Sequence, residues 1–198
     1  MPFAPSFASS GLLDAAATAA RLPWSALADE IAALLQDNSV VVPQRAVLPL
    51  AQGGSLFVMP ATDQAVAMTK LITLTPGNAG TGRPSIQGDV VVFDVASGER
   101  RLIIDDPTVT ARRTAAVSLL AARRLAPNPD GPLLIVGAGV QGRAHLDAFV
   151  DGLRFFRIAW SWGGPVSLAV PYEARAMRSL ATSSRHGSSA APDRVSMV

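Results

Sequence analysis

Seventeen basic side chains are spread along the 198 residues, and one alone, Lys70, is a lysine. It sits inside the apolar run Ala65 to Leu74 (AVAMTKLITL), where strand alternation puts Met68, Lys70 and Ile72 on one face. An ammonium on a half-buried strand is costly unless it is paired or meets an anion. The alternative is an edge-strand lysine that discourages aggregation, and the sequence leaves both open. Two arginines also stand at the starts of regular elements. Arg45 follows Val42-Pro43-Gln44 at the start of another extended run, and Arg112 lies in the second turn of a helix opened by Pro107. A plain solvated charge is the commoner fate of an arginine, and the bare sequence leaves that reading open for both. Arg112 and Arg113 are neighbours about 100° apart on a helix, so they do not share one task.

A second kind of chemistry is written at Leu133 to Leu146, LLIVGAGVQGRAHL. Four apolar residues, Leu133 to Val136, read as a buried parallel strand running into Gly137, Ala138, Gly139, Val140, Gln141 and Gly142. An amphipathic helix then begins. Gly137 permits a tight turn, Gly139 lets the backbone approach a pyrophosphate, and Gly142 lets the helix pack on the strand. The helix start adds unpaired N–H groups and a positive dipole end for the phosphates. Nicotinamide dinucleotide binding therefore outweighs a glycine turn of purely structural use. Arg157 to Gly163 (RIAWSWG) holds no acid to take a ribose hydroxyl, which leans towards NADP over NAD.

Composition removes other classes. The chain is 49% hydrophobic, enough for a sizeable core, yet no run approaches the roughly 18–20 apolar residues that cross a bilayer. The opening MPFAPSFASS lacks a basic leader followed by an apolar stretch, so no secretory signal is read there. The absence of cysteine removes disulfides, thiol catalysis and thiolate metal sites. His145 and His186 lie far apart in sequence, so no metal site is expected. The protein reads as cytoplasmic, with no membrane partner. Residues 153–198 carry six arginines against two acids, whereas the rest of the chain is slightly acidic. That basic end has neither lysine nor regular basic–aromatic spacing, so no nucleic-acid partner is expected.

Around these residues the pattern predicts helix near Ser10, Leu13 and Ala17 and again from Trp24 to Leu35, with Ser25 near the second cap. Short extended runs follow at Val40–Val42, Ala46–Leu50, Ser55–Met59, Ala65–Leu74, Val90–Val95 and Arg101–Ile104, separated by turn residues. Asp106 then caps a helix that runs to about Leu125. The expected fold class is α/β: a β-rich mixed α+β N-terminal domain over residues 1–126, for substrate and dimerisation. The start of a Rossmann-type dinucleotide-binding unit over 127–160 follows, incomplete as a sheet. Phe155 to Trp160 is its candidate second strand. Residues 161–198, rich in Ser, Arg, Ala and Gly, are expected to be an irregular tail, disordered in composition or out of frame.

Taken together, VPQR ending at Arg45, the TK pair at Lys70, PGNAGTGRPSIQG, VVVFDVASGER and TVTARRTAAVSLLAARRLAP leading to VGAGVQGRAHL resemble the ornithine cyclodeaminase/mu-crystallin family. The resemblance runs in unbroken order over about residues 1–152. Within the family it is nearest the bacterial reductases of Δ1-pyrroline-2-carboxylate and Δ1-piperideine-2-carboxylate. It implies that Arg45, Lys70 and Arg112 hold the substrate carboxylate, with Arg112 also near the nicotinamide. It further implies that Ser85, Ala138, Val140 and Gln141 lie against NADP or NAD beside Gly137, Gly139 and Gly142. The implied reaction is hydride transfer to C2 of a cyclic imine, giving proline or pipecolate, by a homodimer. Ornithine cyclodeamination, or a remnant without turnover, are the alternatives. The family's catalytic aspartate falls in a segment that nothing after Gly152 matches, so no catalytic acid or base is assigned.

Overall fold

The computed structural model describes residues 11–129, 131–153, 157–161 and 168–171, the last two stretches as backbone only. A six-stranded sheet is built from β1 (Gly11–Leu13), β2 (Ala46–Pro49), β3 (Ser55–Thr62), β4 (Val66–Leu74), β5 (Ile86–Asp94) and β6 (Arg100–Asp105). Its order is β1-β6-β5-β4-β3-β2. Neighbouring strands run antiparallel except at the β1–β6 edge, which is parallel. Short polar turns set the register. Asp63 Oδ1 accepts from the amides of Ala65 and Val66 at 2.7 Å each, closing the β3–β4 hairpin. Asp94 takes the amide and hydroxyl of Ser97 at 2.8 Å, which closes β5 onto β6.

Three helices, α1 (Ala15–Ala20), α2 (Trp24–Leu34) and α3 (Asp106–Leu125), accompany this sheet. A second, three-stranded sheet holds β7 (Leu133–Val136), β8 (Arg157–Ser161) and β9 (Leu168–Pro171), with α4 (Val140–Gly152) linking β7 to its parallel neighbour β8. Small side chains let the helices approach. Ala28, Ala116 and Leu119 form one fully buried cluster between α2 and α3. Ala115, Ala144 and Ala148 form another between α3 and α4.

Four expectations change. The residues around Leu13 form strand β1, because Gly11, Leu12 and Leu13 pair with Leu102, Ile103 and Ile104 on the edge of β6. Ser25 does not cap α2, whose first residue follows Pro23. Its hydroxyl and amide bond instead to Asp151 Oδ2 at 3.2 and 3.3 Å, tying α2 to α4. The cap of α3 is Asp105, which accepts from the Thr108 amide at 2.9 Å, so Asp106 stands one residue inside the helix. Finally, β9 lies within the stretch expected to be irregular. It pairs antiparallel with β8, and most of 161–198 falls outside the described residues.

Candidate functional site

Lys70 occupies the interior of the sheet, with β3 on one side and β5 on the other, so the edge-strand alternative falls. Its cross-strand neighbours are Met59 and Val90. The ammonium turns towards the first turns of α3. There Nζ lies 3.0 Å from Asp106 Oδ1 and donates to Thr110 Oγ1 at 2.5 Å. The Thr110 hydroxyl sits 3.2 Å from both Asp106 oxygens. Asp106 is completely buried, while 13% of the Lys70 side chain remains open. The sequence offered one signal for Asp106: two adjacent aspartates precede Pro107, and a helix needs only one of them as its cap.

Arg45 stands one residue before β2 and is exposed. Ala46 pairs with Val58, so carrying that register one step further sets Arg45 opposite Met59, the neighbour of Lys70. Arg45 and Lys70 thus share a row and a face, two strands or about 10 Å apart. Arg112 does not join them. Its Nη1 donates to the Leu22 carbonyl at 2.6 Å, and its guanidinium lies 4.2 Å over the Trp24 ring. Burial holds its pKa below the usual arginine value, opposed by the charges of Asp147 and Asp151 on α4. The reason is helical phase: positions 106, 110 and 113 fall on one face of α3, and 112 falls well round from it. Arg113, one turn beyond Thr110 and exposed, is the arginine that shares the face of the Lys70 contacts.

The glycine turn has the expected form. Gly137 adopts φ +102°, a region that favours glycine. A Cβ on Gly142 would stand 2.0 Å from the Gly137 carbonyl oxygen, so only glycine lets α4 start this close to β7. Gly139 caps α4 with no side-chain hydrogen bond, so no cap side chain competes for the opening amides of Val140, Gln141 and Gly142. A dinucleotide pyrophosphate fits this donor set. Ala138 is half-buried, Val140 and Gln141 are exposed at the turn, and Ser85 is half-buried in the loop before β5, where its carbonyl accepts from the Thr75 amide at 2.8 Å. His145 Nδ1 contacts the Gln141 carbonyl at 2.7 Å and Nε2 the Ser118 hydroxyl at 2.9 Å. With a proton on Nδ1 the ring donates to the Gln141 carbonyl, and its two contacts fasten the turn end of α4 to α3. Among the described residues, no group of three His, Asp or Glu side chains is placed to hold a metal ion.

Residues 12–160 match the profile of the Ornithine cyclodeaminase/mu-crystallin family. The chain belongs to that family. Similar members include Delta(1)-pyrroline-2-carboxylate reductase 1 of Burkholderia multivorans, 41% identical over 141 residues, covering 70% of this chain and 45% of that protein. Delta(1)-pyrroline-2-carboxylate/Delta(1)-piperideine-2-carboxylate reductase of Azospirillum brasilense is 39% identical over 140 residues, covering 69% and 45%. The chain therefore spans less than half the length of these relatives. Among solved structures, the iminosuccinate reductase of Paracoccus denitrificans in complex with NAD+ superposes with TM-score 0.68 at 19% identity, covering 79% of this chain and 51% of that one. An archaeal alanine dehydrogenase dimer with bound NAD gives 0.66 at 21%, covering 76% and 48%. These two likenesses establish the fold of the family member described here: a mixed α/β arrangement with a six-stranded sheet.

Proposed function

We propose that this chain serves the NAD(P)H-dependent reduction of small cyclic ketimines bearing a carboxylate, Δ1-pyrroline-2-carboxylate and Δ1-piperideine-2-carboxylate, to proline and pipecolate. The observation that carries the reading is that a single helix, α3, joins both halves of the chemistry. Its first turns supply the partners of Lys70 and the exposed Arg113, and its middle packs through Ala115 against Ala144 and Ala148 of α4, the helix that begins at the glycine turn. A bound nicotinamide dinucleotide, NADP or NAD, supplies the hydride that C2 of the imine accepts. Gly137, Gly139 and Gly142, with the amides of Val140 and Gln141, hold its pyrophosphate, and Ser85 and Ala138 border it.

Lys70, Arg45 and Arg113 take the substrate carboxylate, and Arg113 replaces Arg112 in that role. Arg112 instead clamps the α1–α2 link onto α3. An ammonium with one free donor and a guanidinium fork hold a planar carboxylate in the plane of its ring, which fixes the face of C2 offered to the hydride. No acid or base is assigned among the described residues.

A homodimer in the cytoplasm completes the reading. The sheet face opposite Lys70 carries Leu48, Leu56, Leu71, Val91, Phe93 and Ile103, and Leu71 and Phe93 each remain 36% exposed. A second copy of this face is an occupant of matching chemistry.

The test is an assay of the 198-residue chain with Δ1-pyrroline-2-carboxylate and either NADPH or NADH, following cofactor oxidation. Turnover supports the reading. Ammonia release from ornithine without net cofactor consumption would favour the cyclodeaminase alternative, and saturable NADPH binding without either reaction would favour a binder. In the same system Lys70→Ala should weaken a carboxylate ligand about tenfold or more while leaving cofactor affinity nearly unchanged. Equal losses would mean that Lys70 does not serve the substrate.

A further inference from the structure

Lys70 is the one lysine of the chain, and its charge does not stand alone. Asp106 lies 3.0 Å from Nζ with no exposed surface, and the hydroxyl of Thr110 bridges the two. Of the three N–H donors of the ammonium, one goes to Asp106 and one to Thr110, which leaves one for anything entering from solvent. The Lys70–Asp106 pair thus offers a hydrogen-bond donor without a net charge of its own. A carboxylate arriving there meets the Lys70 N–H and, just behind it, a fixed negative charge that water cannot reach to screen.

We propose that Asp106 is a positioning and specificity-determining residue. By neutralising Lys70 from beneath, it turns the corner against plain carboxylate anions and in favour of ligands whose ring nitrogen carries a positive charge beside the carboxylate. The inference rests on the proposed substrate class and sharpens it. For a zwitterion, repulsion between Asp106 and the ligand carboxylate is offset by attraction to the ring nitrogen. For an anion with an uncharged ring, the repulsion from Asp106 has no such offset. Asp106 touches no ligand and acts through Lys70. Thr110 keeps the pair aligned.

The experiment compares two probes of nearly equal size by calorimetry on the full 198-residue chain with saturating NADP+: pyrrole-2-carboxylate, an anion with a neutral ring, and L-proline, a zwitterion. Asp106→Asn keeps an oxygen for Lys70 and removes the charge. It is expected to tighten pyrrole-2-carboxylate about tenfold while changing L-proline by less than about threefold. Asp106→Ser, which removes the same charge with a smaller side chain, should shift the two probes in the same unequal way and serves if the first variant fails to fold. A role limited to holding the fold would weaken both probes together, and that result, or equal shifts of both, overturns the inference. If the unaltered chain binds neither probe, the proposed function falls as well. Binding of both probes with no change in Asp106→Asn sinks the inference alone.

Discussion

Arg112 and Arg113 show how much one residue of phase decides. Adjacent in sequence and identical in type, they face different surroundings because each step along α3 turns about 100°. Arg112→Ala removes a 2.6 Å bond to a backbone carbonyl and the stacking on Trp24, and should cost about 1–2 kcal/mol of stability in urea unfolding. Arg113→Ala should change stability by less than about 0.5 kcal/mol, yet weaken pyrrole-2-carboxylate about tenfold. The reverse outcome would return the carboxylate role to Arg112. Asp94 gives a test by pH. The Arg101 guanidinium at 2.8 Å, helped by the bonds from Ser97, holds its carboxyl down to about 2, against 3.8 unperturbed. A carboxyl with a lowered folded-state pKa contributes stability above about pH 4 and loses it as the pH falls towards 2. Asp94→Asn should therefore be the less stable protein at pH 5, and the gap should close by pH 2.5 in matched urea titrations.

The elements were legible to different depths. The strand–glycine–helix unit stood out from sequence because each of its residues is constrained by local geometry, and the structure bears this out at Gly137 and Gly142. Strands β2 to β6 were also visible, through alternation and the turn residues between them. What stayed hidden depended on distant partners. Three residues at Gly11–Leu13 take strand form only because the edge of β6 lies beside them. The choice of Asp105 over Asp106 as cap is decided by where Lys70 arrives from β4, forty residues or so earlier. At this scale Gly142→Ala is the informative change. The added methyl would collide with the Gly137 carbonyl, forcing α4 away from β7, so NADPH binding should fall at least about tenfold while α1, α2 and α3 retain their helical signal by circular dichroism. Unaltered NADPH affinity would contradict the turn as the phosphate cradle.

For the whole molecule the open face of the six-stranded sheet matters most. Leu71→Asp should leave a well-folded chain, since Leu71 is already partly solvated, and should shift the mass in sedimentation from dimer to monomer at micromolar concentration. A monomeric unaltered chain would refute the pairing. The inner face is closed differently: α1 and α3 lie against it, and Lys70 and Asp106 meet beneath that cover. One sheet thus separates a surface suited to self-association from a surface suited to a carboxylate-bearing ligand.

The parallel seam between β1 and β6 carries a consequence for biosynthesis. Ninety-one positions separate Gly11 from Leu102, so β1 leaves the ribosome well before its mate β6, the last made of the six strands in this sheet. At ordinary elongation rates that delay is roughly 5–20 s, during which Leu12 and Leu13 wait without a neighbour while the hairpins of β2 to β5 zip up. Pulse-labelled amide exchange during refolding should accordingly find Leu12 and Leu13 among the latest residues to gain protection.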